Sequence, residues 1–110
     1  MAAKLTLDEV ATFTAPVEYT IPGGDKARFN VNFKWRTADE LKEFGKQFSQ
    51  EGGSGLSDAE VFLEIAEGWD LKFPFNQEAV EKLTKKYIGI AGVVLSEYFK
   101  QHTASIRQGN

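Results

Sequence analysis

Ala27, Phe29, Val31, Phe33 and Trp35 alternate without interruption with Arg28, Asn30, Asn32, Lys34 and Arg36. A period of two puts three aromatics and a valine on one face of a strand and the polar residues on the other, the pattern of an antiparallel sheet with one wet face. A shorter alternation runs through Val17, Tyr19 and Ile21, and Pro22-Gly23-Gly24-Asp25 separates the two runs. Such punctuation predicts a hairpin, with Pro16 just before its first strand. Two strands are marginal alone in water, so other elements must cover the aromatic face.

Helices are the expected cover. Thr37-Ala38-Asp39-Glu40 has the form of a capping box, and Leu41, Phe44 and Phe48 follow at helical spacing, which predicts a helix over 38–49. Gly45 weakens that helix or admits a close neighbour. Gln50-Glu51-Gly52-Gly53-Ser54-Gly55 is expected to be a mobile loop. Ser57-Asp58-Ala59-Glu60 repeats the capping box, and Val61, Phe62, Ile65 and Trp69 form the stripe of a second helix that Gly68 is placed to end. The run Trp69 to Phe75 is irregular, with Pro74 holding Phe73 extended. Asn76 then caps a third helix whose inner face is Val80, Leu83 and Tyr87, with Glu78 and Glu81 preceding Lys82 and Lys85 by four.

From Tyr87 to Phe99 nine of thirteen residues are apolar, so a last helix is expected there, covered on several sides by this domain or by a second protein. Gly89 and Gly92 are spaced for close helix approach. The expected fold is α+β, an N-terminal antiparallel β-hairpin packed against a bundle of about four α-helices. One domain would span 13–104, with an arm over 1–12, where Leu5, Leu7, Val10 and Phe13 are available to dock, and a frayed tail over 105–110.

At 110 residues, 42% of them hydrophobic, the chain can build a core without disulfides or metal. Its lack of cysteine removes a thiol nucleophile, a zinc ribbon and a disulfide framework. A net charge of −3 argues against duplex nucleic acid as a partner. No apolar run has bilayer or signal-peptide length, so the default is a soluble intracellular protein.

Catalytic candidates are few. The single histidine, His102, precedes a polar C-terminus and reads as solvated surface. Asp39, Glu40, Asp58 and Glu60 sit in first helical turns, where amide dipoles favour carboxylates. No phosphate loop, dinucleotide fingerprint, zinc spacing or EF-hand loop is present. No catalytic, cofactor-binding or metal-binding residue is therefore assigned. Arg28, Lys34 and Arg36 share the polar strand face and read as a solvated surface rather than a contact for RNA or an acidic partner.

Aromatic residues make up 13% of the chain. Phe29, Phe33, Trp35, Phe44, Phe48 and Phe62 suffice for a small core. Trp69, Phe73, Phe75, Tyr87, Tyr98 and Phe99 form a surplus, open to reading as further core or as anchors for a partner. Trp69, Phe73, Phe75, Tyr87 and Tyr98 are the candidate partner-binding residues.

Two stretches carry a family resemblance. Leu7-Asp8-Glu9-Val10, Phe13-Thr14-Ala15-Pro16-Val17, the Phe29 to Trp35 strand and the Leu41 helix resemble the opening of small tail assembly chaperones of long-tailed bacteriophages and prophages. Glu60-Val61-Phe62-Leu63, Gly68-Trp69, Phe75-Asn76, Tyr87-Ile88-Gly89-Ile90-Ala91, Tyr98 and Arg107-Gln108-Gly109-Asn110 resemble their end. The resemblance implies a protein of the host cytoplasm that binds the aggregation-prone tape measure protein during tail assembly and is missing from the finished virion. In such families a longer frameshifted product often accompanies the short one. The resemblance carries over no catalytic residues. The alternatives are a structural subunit of a tail or neck, and a small enzyme or ligand-binding domain with a pocket between hairpin and last helix. Self-association through that apolar helix stays open.

Overall fold

The computed structural model describes residues 5–7, 9, 11–49 and 53–104. Strands β1 (Thr12–Thr20) and β2 (Lys26–Lys34) form the expected antiparallel hairpin, with Val17 opposite Phe29 and Ala15 opposite Val31. Gly23 and Gly24 turn the chain at φ 110° and 108°, a region closed to side chains with a Cβ. The first strand is longer than its alternation suggests and contains Pro16 instead of following it. β1 is an edge strand of the sheet order β1-β2-β3, so a residue without an N–H is tolerated there. Phe13 is thus a strand residue, paired with Phe33, whereas Leu5 and Leu7 stay fully exposed. Val10 and the tail over 105–110 lie outside the described residues.

Four helices complete the α+β fold: α1 (Ala38–Ser49), α2 (Asp58–Ile65), α3 (Gln77–Lys86) and α4 (Ile90–His102). Three begin as their sequences specify. Glu40 and Glu60 reach back to the Thr37 and Ser57 amides at 2.9 Å each, while those residues' hydroxyls accept from the Glu40 and Glu60 amides. Asn76 accepts from the Ala79 amide at 2.8 Å. These hydrogen bonds, the backbone one first, hold both glutamates below the usual carboxylate range. Of the two expected ion pairs on α3, Glu78–Lys82 forms at 3.0 Å, and Glu81 instead accepts from Gln77.

The second helix is shorter than its apolar stripe suggests. It stops at Ile65, and Ala66–Trp69 becomes a third strand, β3, antiparallel to β2. Gly68 and Trp69 therefore lie in the sheet, opposite Asn32 and Val31, and a bulge accommodates Glu67 between Gly68 and Ala66. The last helix starts at Ile90, not Tyr87. Tyr87 caps α3, and Gly89 at φ 83° makes the turn. Neither Gly89 nor Gly92 has a neighbour within 4 Å of an added Cβ, so close helix approach is not their role.

The dry sheet face, with Ala15, Val17, Tyr19, Phe29, Val31 and Phe33, packs on Phe62 and Ile65 of α2, Val80 of α3, and Val94 and Tyr98 of α4 in one core. Trp35 shares their phase, yet at 49% exposure it lies past the end of β2 and is not core. Helix α1 joins through rings, Phe44 and Phe48 lying 6.0 and 6.5 Å from Phe99.

At the centre Tyr98 is 0% exposed. Its hydroxyl donates to the Lys34 carbonyl at 2.8 Å and accepts from Arg36 at 2.9 Å, and burial pushes its pKa up. Arg36 also donates to the Glu64 carbonyl at 3.1 Å, and Lys34 donates to that of Leu63 at 3.0 Å. Two of the three cations expected on a solvated strand face thus close the C-terminal end of α2, which has no basic residue in its own last turn. Arg28 remains exposed.

Tyr98→Phe keeps the ring but strands the Lys34 carbonyl and an Arg36 N–H, so urea unfolding is expected to show a loss of about 1–3 kcal/mol. Gly45→Ala is expected to act the other way. An added Cβ would lie 3.8 Å from Phe99, ordinary contact, so helix propensity should stabilise the fold by about 0.5–1 kcal/mol in the same assay.

Candidate partner-binding site

The connector between β3 and α3 is locked before it carries anything. Asp70 accepts from the Asn30 amide and from the Asn30 side-chain nitrogen, both at 2.8 Å, which ties the connector to β2 and lowers the Asp70 pKa. The Trp69 indole N–H then donates to the Phe73 carbonyl at 2.8 Å. From the fully buried Phe62 a series of edge-on rings leads outward: Trp69 lies 5.7 Å from Phe62, and Phe75 and Phe73 lie 4.8 and 5.4 Å from Trp69. The series ends at the surface, where Phe73 is 44% exposed.

Phe73 and Pro74 of the connector and Ala79, Leu83 and Tyr87 of α3 and its cap line a groove of about 420 Å³. Tyr87 is half-buried and steadied by the Tyr19 ring 5.8 Å away, while the Tyr19 hydroxyl donates to the Ile88 carbonyl at 2.8 Å. The exposed Glu78, Lys82 and Lys86 line it as well. Beside it Ile88, 84% exposed, projects from the turn that Gly89 makes. Sequence reasoning missed Ile88 by placing it inside the last helix. The usable signal was the glycine at residue 89, whose positive φ ends the apolar run's claim to be one element.

Of the five candidate anchors, Trp69, Phe73 and Phe75 therefore form one cluster, and Tyr87 lines the same groove as Phe73. Tyr98 lies in the core with its hydroxyl committed and offers no surface. A second apolar recess, of about 580 Å³, lies between Trp35, Leu41, Phe99 and His102.

His102 is not solvated surface. Its ring lies edge-on to Tyr98, Phe13 and Trp35 at 4.8, 5.1 and 6.0 Å, and its Nε2 is buried without a hydrogen-bond partner. Burial first, then the nearby Arg36 charge, depress its pKa, while a backbone interaction with Lys34 pulls weakly upward. Among the described residues no group of three or more His, Asp or Glu is placed to hold a metal ion, and no helix is long and apolar enough to cross a membrane.

The chain thus carries an aromatic groove on a locked connector, with Glu78 in its lining ion-paired to Lys82. The model of the phage tail assembly chaperone family matches residues 1–110, and the chain belongs to that family. No curated protein and no solved structure matches it.

The lowered pKa of His102 has a definite sign in stability. The unfolded chain takes up a proton near the ordinary histidine value of 6.5 and the folded chain only below it, so stability is complete above that value and drains as pH falls toward the folded one. Between about pH 7.5 and about pH 5.5 the wild type is expected to lose urea stability that His102→Leu keeps. Glu40, Glu60 and Asp70 titrate below that window, so equal losses in the two proteins would assign the effect elsewhere.

Proposed function

We propose that this protein binds apolar segments of the tape measure protein during tail assembly, in the cytoplasm of the host cell, and that it acts by binding alone. Its family supplies the assembly role. The observation that carries the finer reading is Phe73, a large apolar ring left 44% exposed on a connector held at Trp69 and Asp70, lining an apolar groove together with Tyr87. Rings fixed in advance lose little freedom when a partner covers them, which is the property of an anchor. Trp69 and Phe75 support Phe73 from behind, and Tyr98 holds the scaffold.

Coexpression with the tape measure protein of the same phage and affinity capture test this. Phe73→Ala and Tyr87→Ala are each expected to weaken capture by about 5–30-fold, the usual cost of truncating an anchor. Trp35→Ala, in the other recess, should leave capture unchanged, and circular dichroism should show all three variants folded. No capture of the tape measure protein by the wild type would overturn the proposal. A transient chaperone should also be undetectable by mass spectrometry of purified virions.

A further inference from the structure

We infer that the segment seated in the Phe73–Tyr87 groove is an amphipathic helix whose apolar stripe is flanked by acidic residues. This rests on the proposed function and specifies the chemistry of the client at the same site.

The backbone around the groove indicates a helical occupant. The Phe73 carbonyl is taken by the Trp69 indole, Pro74 has no N–H, and the rest of the lining comes mainly from α3, where the Asn76 side chain takes the Ala79 N–H and the backbone beyond the first turn is bonded within the helix. An extended strand laid here would find few main-chain partners, so the occupant must satisfy its own backbone, as a helix in a groove does. The groove offers such a helix side chains alone: Phe73, Pro74, Ala79, Leu83 and Tyr87 for its stripe.

Charge selects the flanks. Each acid nearby is already committed: Glu78 to Lys82 at 3.0 Å, Glu81 to Gln77 at 3.1 Å, and Asp70 to Asn30 at 2.8 Å. Lys82 is taken by Glu78, but two other cations are not committed. Lys86, in the lining, lies 5.4 Å above the Tyr87 ring, and neither it nor Lys72, next to Phe73, makes an ion pair among the described residues. An acidic protein of net charge −3 thus leaves uncompensated positive charge beside this aromatic groove. A second copy placed there with two-fold symmetry would set the same lysines against each other, whereas acid-flanked apolar residues would meet them favourably.

Isothermal titration of the full chain with two synthetic helical peptides of about five turns tests this. Both carry the same leucine stripe, one flanked by glutamates and one by lysines. The glutamate peptide is expected to bind about tenfold tighter at low ionic strength, and the gap should shrink in about 0.5 M salt. The double variant Lys72→Glu/Lys86→Glu should reverse the order, and Phe73→Ala should weaken both peptides. Equal affinities, no binding, or an order unmoved by the charge variant would overturn the inference. So would a concentration-dependent dimer in light scattering that Phe73→Ala dissolves, because it would assign the groove to a second copy. If the glutamate peptide binds as expected but the tape measure protein does not, the proposed function fails and the groove chemistry stands. If the tape measure protein binds wild type and charge variant alike and the peptides show no preference, this inference fails and the function stands.

Discussion

The Tyr98 hydroxyl, with the Lys34 carbonyl at 2.8 Å and Arg36 at 2.9 Å, is where the separate elements of this chain are tied to one another. It sits on α4, its acceptor ends β2, and its donor continues to the Glu64 carbonyl at the end of α2. Arg36 also lies 4.1 Å over the Phe44 ring, so the same guanidinium holds α1. A buried hydroxyl left unpaired would cost more than the bond itself contributes, which makes this arrangement demanding as well as stabilising. Its effect reaches the groove. Because Lys34 and Arg36 close the end of α2, the chain can leave that helix at Ile65 and pair at once with β2, which aims Trp69 and the connector behind it.

Most of the scaffold was legible where the signal is local. The period of two in β2 and the caps at Thr37, Ser57 and Asn76 each need only a few neighbouring residues, and each appears as expected. β3 was not legible. Trp69 falls four residues after Ile65, where a helical stripe would also place it, and four residues are too few to establish an alternation. Ala66 to Trp69 become a strand because β2 has a free edge, and that edge is a fact about residues more than thirty positions away. The limit at Gly89 has a different origin. An apolar run of thirteen residues conceals a turn when its exposed member, Ile88, has the same chemistry as its buried ones.

The candidate site divides in the same way. A surplus of aromatics in the later part of the chain was visible in composition, and Trp69, Phe73 and Phe75 do lie together. Tyr87 and Tyr98 were indistinguishable in sequence because each is a tyrosine near the end of an apolar stripe. What separates them is long-range: Tyr98 meets the end of β2 and Arg36, while Tyr87 caps its own helix and keeps one side toward the groove. Trp35 shows the converse. Its phase is that of the core, but the sheet ends before it. His102, polar by type, is enclosed by three rings that the hairpin and α4 bring around it.

For the proposed role, the size of the groove matters as much as its chemistry. A client helix resting on one groove of about 420 Å³ would bury an area at the small end of specific interfaces, below about 1,200 Å², where complexes are typically transient. An assembly chaperone has to let go, so a modest contact suits it better than an extensive one. Rigidity then decides how little area suffices. Phe73 is supported through Trp69 and Phe75 by the buried Phe62, and the Asp70 and Trp69 hydrogen bonds fix the connector before a client arrives. Little ordering is left to oppose binding, so a few rings can hold a client with useful affinity. The unpaired lysines add attraction that speeds encounter and weakens with salt, without enlarging the apolar surface that would put the chaperone itself at risk of aggregation.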